Sequence, residues 1–247
     1  MPTDLTGRVA LVTGGASGLG RATCHALAAE GVHVVAADID TDGACSTAQT
    51  IEDHGGSAEA LAFDVTSAAD RVGAVADIFA RFGDAFSILV NVAGIDRPGY
   101  LVDVDEDAYH LVFAVNCHGP VFLMKEFLLG FLAARGTETR AEIFNVLSIS
   151  AVTVGSGAVA YNSSKAAFTK ATEIFQTEVR EFDHPCRIQA IMPAAMDTPM
   201  MAQWGIPQER MMDPADVAAE IIHGLRRPAG VLGQNLVFTP TVENYPR

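Results

Sequence analysis

Tyr161 and Lys165 lie four residues apart in a segment, 158–182, whose apolar spacing is helical, so both side chains share one helix face. With four tyrosines and three lysines in 247 residues, chance supplies a Tyr-x-x-x-Lys arrangement roughly 0.05 times in such a chain. A phenol beside an ammonium suits proton transfer. A substrate alcohol must lose its proton as its hydride leaves, and free tyrosine, titrating at ~10, needs a nearby cation to accept that proton near neutral pH. Lowering the phenol by ~2–3 units asks for roughly 3–4 kcal/mol, within reach of the Lys165 ammonium and a second positive charge in a site poor in water.

A second constellation lies near the N-terminus, where Thr13-Gly14-Gly15-Ala16-Ser17-Gly18-Leu19-Gly20 follows an apolar run and opens a helical segment. Gly14, Gly18 and Gly20 would permit a tight turn, close approach of the backbone to a pyrophosphate and close helix–strand packing. The free N–H groups of the helix start, with Ser17 and Leu19 in the same loop, would face the phosphates. Asp38 ends the next apolar run, eighteen residues after Gly20, close to the ~20 expected of a ribose-binding carboxylate. It can accept both adenosine ribose hydroxyls and would repel a 2′-phosphate, which favours NAD over NADP. Ser17 stands where a basic side chain could otherwise hold that phosphate, and Arg21 is the nearby competing cation.

The elements that must position these groups follow from periodicity. Apolar runs at 8–12, 32–37, 58–63, 87–92, 143–147, 187–192 and 235–238 alternate with helical segments at 19–30, 41–54, 68–82, 105–135, 158–182 and 214–226. Apolar, non-alternating strands with helices between them predict a parallel sheet covered on both faces, hence a doubly wound α/β fold with seven strands. No linker, repeat or charge block interrupts the pattern, so residues 1–247 are expected to form a single domain. The stretch 198–213 fits neither strand nor strong helix and is expected to be a mobile insertion.

Composition narrows the function classes. Thirty acidic against sixteen basic residues give a net charge of −14, which disfavours nucleic acid and anionic membrane surfaces as partners. Cys24, Cys45, Cys117 and Cys186 show no paired spacing, and the seven histidines form no ligand pair, so no metal site is expected. The N-terminus lacks a basic region followed by an apolar stretch, which points to the cytoplasm. The longest uncharged stretch, 143–164, holds two Asn, five Ser, two Gly and a Tyr, too polar for a membrane span.

From Gly7 to about Gln234 these ordered motifs resemble the short-chain dehydrogenase/reductase family, which implies a Rossmann fold. Asp64-Val65 is similar to the family's adenine-contacting pair. Asn91-Val92-Ala93-Gly94 is similar to its Asn-Asn-Ala-Gly, with Val92 departing at the second position, and implies cofactor contacts from Asn91, Ala93 and Gly94. The family's active-site tetrad maps onto Asn116, Ser148, Tyr161 and Lys165, with Ser148 thirteen residues before Tyr161. In that mapping Ser148, with Ser150 as nearby rival, holds the substrate oxygen, and Lys165 also binds the nicotinamide ribose. Asn116, inside the helical segment 105–135, would bend it and hold a water between Lys165 and solvent. Pro193 and Thr198 fall in a segment similar to the family's Pro-Gly segment, whose threonine binds the nicotinamide carboxamide, although Ala194 replaces the glycine.

Six of eight methionines and the one tryptophan, Trp204, fall between residues 192 and 212, which favours a largely apolar secondary alcohol or ketone under an adaptable lid at about 198–213. The C-terminal Asn235-Leu236-Val237-Phe238-Thr239-Pro240-Thr241 stretch lacks the Asp-Gly-Gly ending of many family members and looks more like shorter relatives acting on small hydroxy acids, for which Arg97 and Arg210 are candidate carboxylate ligands. A 3-oxoacyl reductase, a non-catalytic cofactor-binding protein and a nucleotide-sugar epimerase or dehydratase remain as alternatives. The last usually needs a larger C-terminal domain. Apolar residues beyond one stripe in 105–135 and 158–182 predict a homodimer or homotetramer.

Overall fold

Short runs such as Val9-Ala10-Leu11-Val12 and Ile88-Leu89-Val90 carry apolar side chains in both directions, so a strand made from them must be covered on both faces. The structure is a computed structural model describing residues 2–134, 136 and 140–241. Its strands are β1 (Val9–Thr13), β2 (His33–Asp38), β3 (Ser57–Ala62), β4 (Phe86–Asn91), β5 (Ala141–Val146), β6 (Cys186–Pro193) and β7 (Asn235–Phe238). They form one parallel sheet in the order β3-β2-β1-β4-β5-β6-β7. Helices α1 (Gly18–Ala29), α2 (Thr41–Asp53), α3 (Ala68–Phe82), α4 (Glu106–Phe113), α5 (Gly119–Ala134), α6 (Val159–Glu181) and α7 (Pro214–Leu225) connect them. This is the doubly wound, Rossmann-like arrangement the periodicity predicts, with strand bounds within two residues.

Alternation splits the core into two layers. Val9, Leu11 and Leu89 face Phe127, Phe131 and Phe168, whereas Ala10, Val12 and Val90 face Leu27, Ile221 and Leu225. After β3 the chain crosses to the far side of β1 to form β4, so the connections leaving the paired C-terminal ends of β1 and β4 diverge to opposite faces of the sheet. In open α/β sheets that divergence opens a crevice for ligands.

The segment 105–135 departs from the continuous helix expected. Between α4 and α5 the chain makes one π turn, Ala114–His118, where the Gly119 N–H reaches the Ala114 carbonyl. Pro120 offers no N–H to the carbonyl four residues earlier, that of Asn116, so a regular α turn cannot close there. The helical run 106–134 is long and apolar enough by composition to cross a membrane, but Leu123, Met124, Phe127 and Phe131 pack it into the core. Arg135 lies outside the described residues.

The stretch 198–213 also contains more regular structure than its composition suggests. Pro199–Trp204 and Gln208–Arg210 are 3-10 turns, separated at Gly205 by a left-handed residue with φ 60°. Its ends are tied by the Met196–Met212 bridge and by backbone bonds from Asp197 N to Met212 O and Met212 N to Ala195 O, both 2.9 Å.

Candidate active site

The glycine loop is a cradle that a Cβ would fill. Gly14 has φ 74°, and a methyl there would meet the Ala93 backbone N at 3.0 Å; at Gly20 it would lie 1.9 Å from the Gly14 carbonyl oxygen. At Gly18, with φ 50°, a methyl would lie 3.1 Å from the Thr198 methyl group. Thr13 completes the junction, its Oγ1 accepting from both the Val92 and Ala93 N–H groups at 3.1 Å. That role was not evident from the sequence, where Thr13 reads as the first residue after the strand.

At the end of β2 the Asp38 carboxylate accepts from the Ala16 N–H through Oδ2 and from the Asp40 N–H through Oδ1, each at 3.0 Å. Arg21 is turned elsewhere, donating to the Ala16 carbonyl and, at 3.3 Å, to Thr47 Oγ1. Asp64 Oδ1 holds the Thr66 N–H and hydroxyl at 2.8 and 2.7 Å, which fixes the turn carrying Val65.

These residues line one cavity of about 940 Å³ over the C-terminal ends of β1 and β4. It runs from Asp38, Asp64 and Val65, past Gly14, Ser17, Gly18, Leu19, Gly20, Ala93 and Gly94, to Ser148, Tyr161, Lys165, Pro193 and Thr198. Two expected site residues are not in its wall. Asn91 is buried at the end of β4, where its Nδ2 donates to Asn145 Oδ1 at 2.8 Å and ties β4 to β5, while its Oδ1 has no hydrogen-bond partner among the described residues. Asn116 is fully buried behind the wall: its amide donates to the Ile95 carbonyl (2.8 Å) and Ser164 Oγ (3.2 Å) and accepts from the Ile95 N–H (2.8 Å). Both of its N–H groups are engaged, so the side chain clamps the loop after β4 to α6 rather than reserving a donor for a water.

At the reactive end, Ser148 caps the short turn Ile149–Ala151, its Oγ accepting from the Ser150 N–H at 3.1 Å, and its hydroxyl lies close enough to the Tyr161 phenol to bear on its titration. Ser148 rather than Ser150 is thus the partner of Tyr161. One turn along α6, Lys165 Nζ donates to the Val146 carbonyl at 2.9 Å and sits 5.8 Å from the centre of the Tyr161 ring. Burial pushes the phenol up to about 12; the Ser148 hydrogen bond opposes the rise and the Asp96 carboxylate adds to it. Burial likewise pulls Lys165 down to about 8, against a small opposing influence of Cys117. Burial is thus the largest influence on the phenol, and Tyr161 keeps its proton at neutral pH in the ligand-free protein.

Over this end lie Met196, Met200, Met201, Trp204 and Ile206. Only half of the methionine cluster lines the cavity. Met192 is buried in the sheet core, Met212 packs on the opposite core layer, and Met211 is not in the wall. Arg97 lines the cavity and donates to the Asp96 carbonyl at 2.8 Å, whereas Arg210 is exposed outside the wall. Asp96 also lines the cavity, bonded to Trp204. Its signal in the sequence was an acid two residues after Gly94. Among the described residues, no three His, Cys, Asp or Glu side chains cluster as a metal site.

The pattern of the short chain dehydrogenase family matches residues 8–209. A (3R)-3-hydroxyacyl-CoA dehydrogenase of Canis lupus familiaris is 32% identical, covering 88% of each chain. A 2,3-dihydro-2,3-dihydroxybenzoate dehydrogenase of Bacillus subtilis is 29% identical, covering 92% of each. Among solved structures, an alcohol dehydrogenase of the archaeon Thermococcus sibiricus, complexed with 5-hydroxy-NADP, superposes with a TM-score of 0.84 at 23% identity, covering 97% of this chain and 99% of that one.

Proposed function

The chain belongs to the short chain dehydrogenase family, and from that premise we propose that it transfers a hydride between NAD(H) and a secondary alcohol or ketone, with Tyr161 as general acid and base. The observation that carries this reading is the single cavity in which the glycine cradle and the Ser148, Tyr161 and Lys165 group meet. When bound, the nicotinamide ring supplies the hydride acceptor or donor. In the oxidising direction Tyr161 Oη takes the alcohol proton while Ser148 Oγ holds the substrate oxygen; in the reducing direction the phenol returns that proton. Lys165 keeps a positive charge beside the phenolate as it forms. The apolar side chains of Met200, Met201, Trp204 and Ile206 favour a substrate with an apolar body, under a lid formed by residues 198–213. The two curated relatives are both named for oxidising hydroxyl-bearing carbon, which fits this class.

NAD is favoured over NADP by two observations. The Asp38 carboxylate stands at one end of the cavity, where adenosine would lie, and Arg21, a nearby cation, is committed to Ala16 and Thr47. Like-charge juxtaposition costs several kcal/mol, so kcat/KM should favour NAD by about 100-fold or more. Asp38→Ala should cut that preference by at least about tenfold. Equal use of both cofactors by the unmutated protein would overturn the assignment.

The same reading includes self-association. Leu111 on α4, Phe122 and Leu129 on α5 and Ile174 on α6 are about half exposed, an apolar surface that a second copy would cover in an isologous contact. Light scattering at micromolar concentration should give two or four times the 26.0 kDa chain mass; a strictly monomeric mass would contradict this.

A further inference from the structure

Asp96 is a carboxylate only 4% exposed in the wall of a cavity meant for substrate. Its Oδ2 accepts from the Trp204 indole N–H at 2.9 Å, a bond reaching across from the turn Pro199–Trp204. Its Oδ1 is buried and has no hydrogen-bond partner among the described residues. Arg97, the adjacent cation, spends a guanidinium N–H on the Asp96 backbone carbonyl; burial pushes the Asp96 carboxyl up, opposed by the Trp204 bond and by the backbone N–H and charge of Arg97. A buried carboxylate oxygen without a donor is costly, and it becomes an asset only when a ligand brings the donor. The carboxylate is close enough to Tyr161 for its charge to bear on the phenol, so the group it meets belongs to the same small molecule whose reacting oxygen lies on Ser148 and Tyr161.

We infer that Asp96 is a specificity-determining residue whose Oδ1 accepts a hydrogen bond from a second hydroxyl of the substrate, so that the alcohol oxidised is a diol or polyol with an apolar body. The inference rests on the proposed function and sharpens its substrate class. An ionised carboxylate offers no donor, so a ketone or ether at this position gains nothing from it. A substrate carboxylate would meet like charge, which disfavours the small hydroxy acids suggested by the C-terminal sequence. A substrate ammonium would be drawn to Asp96 but would join the charges of Lys165 and Arg97 in the same pocket. The neutral hydroxyl is the donor that satisfies Oδ1 without either conflict, and the indole N–H holds the carboxylate in place to receive it. Met200, Met201 and Ile206 would cover the hydrocarbon.

A matched series separates these possibilities: cyclohexanol, cis-1,2-cyclohexanediol, 2-aminocyclohexanol and 2-hydroxycyclohexanecarboxylate, each assayed with NAD. Sites built to bond a substrate hydroxyl discriminate strongly against analogues lacking it, so kcat/KM for the diol should exceed that for cyclohexanol by about 30-fold or more, chiefly through KM. Asp96→Ala should bring the two within about threefold, with the NADH Kd unchanged within about twofold. Asp96→Asn, which can still accept from Trp204, should leave the hydroxy acid closer to the diol as a substrate. A readout independent of turnover is the emission of Trp204, the one tryptophan: in the NADH complex, where the alcohol cannot be oxidised, the diol should shift it saturably and cyclohexanol should not. A diol no better than cyclohexanol in rate and emission, an unchanged ratio in Asp96→Ala, or a preference for the amino alcohol would each overturn the inference. If NADH binds but no alcohol is oxidised, the proposed reaction fails, while the emission titration still decides whether Asp96 receives a hydroxyl.

Discussion

Tyr161→Phe should lower kcat by at least about a thousandfold in both directions while NADH binds with a Kd within about twofold of the unmutated protein. The ring would still pack beside α6, but it could neither take nor return a proton at the oxygen that Ser148 positions. The unmutated protein should show the corresponding pH dependence. Oxidation needs the phenolate with the Lys165 ammonium. With the phenol at about 12 and the ammonium at about 8, log kcat/KM for the alcohol should climb about one unit per pH unit up to about pH 8. Above that it should level, as gain of phenolate and loss of ammonium cancel. Reduction needs the phenol with the ammonium, so it should stay level at neutral pH and fall above about pH 8. Steady-state profiles of both variants check these slopes. Substantial turnover by Tyr161→Phe, or an oxidation rate that falls from pH 6 to 8, would place the proton transfer on another group.

Gly20→Ala has the other large expected effect. A Cβ at this position falls 1.9 Å from the Gly14 carbonyl oxygen, and the obstacle is backbone, so no side-chain rotation relieves it. The loop must open, displacing the N–H groups that face the phosphates. A fluorescence titration should show the NADH Kd raised by about 100-fold or more, whereas Gly55→Ala, a positive-φ position with nothing within 4 Å, should leave it unchanged. Its only cost is backbone strain of order 1–2 kcal/mol. Equal Kd values in the two variants would contradict the assignment of residues 14–20 as the phosphate cradle.

The sequence made the sheet and the cradle legible because both are local: apolar runs of five or six residues, and glycines followed at once by helix α1. What it concealed depends on residues far apart in the chain. The bond between Asp96 and Trp204 spans 108 positions, and no local pattern relates the loop after β4 to the turn before α7. The π turn arises where Pro120 removes one donor and Asn116 turns its amide to Ile95 and Ser164. Its proline was visible, but its tertiary partners were not. Asn91 and Asn116 illustrate a further limit. Their motif positions are clear, yet whether an amide faces ligand or supports the wall behind it depends on burial. The methionines divide for the same reason, since a dense cluster in sequence does not say which side chains turn toward the cavity and which toward the core. For the phenol, spacing revealed the nearby cation, whereas the depth of burial that raises it in the ligand-free protein depends on residues far apart in the chain.

The central claim is that this cavity couples NAD(H) to proton transfer at Tyr161, and the most direct test follows NADH absorbance at neutral pH with purified protein and 2-hydroxycyclohexanone. The account predicts a steady loss of absorbance that requires both protein and ketone and vanishes in Tyr161→Phe, and its reversal with NAD and cis-1,2-cyclohexanediol at alkaline pH. No ketone-dependent loss with this compound or with a panel of cyclic and acyclic ketones, in protein shown by titration to bind NADH, would contradict it.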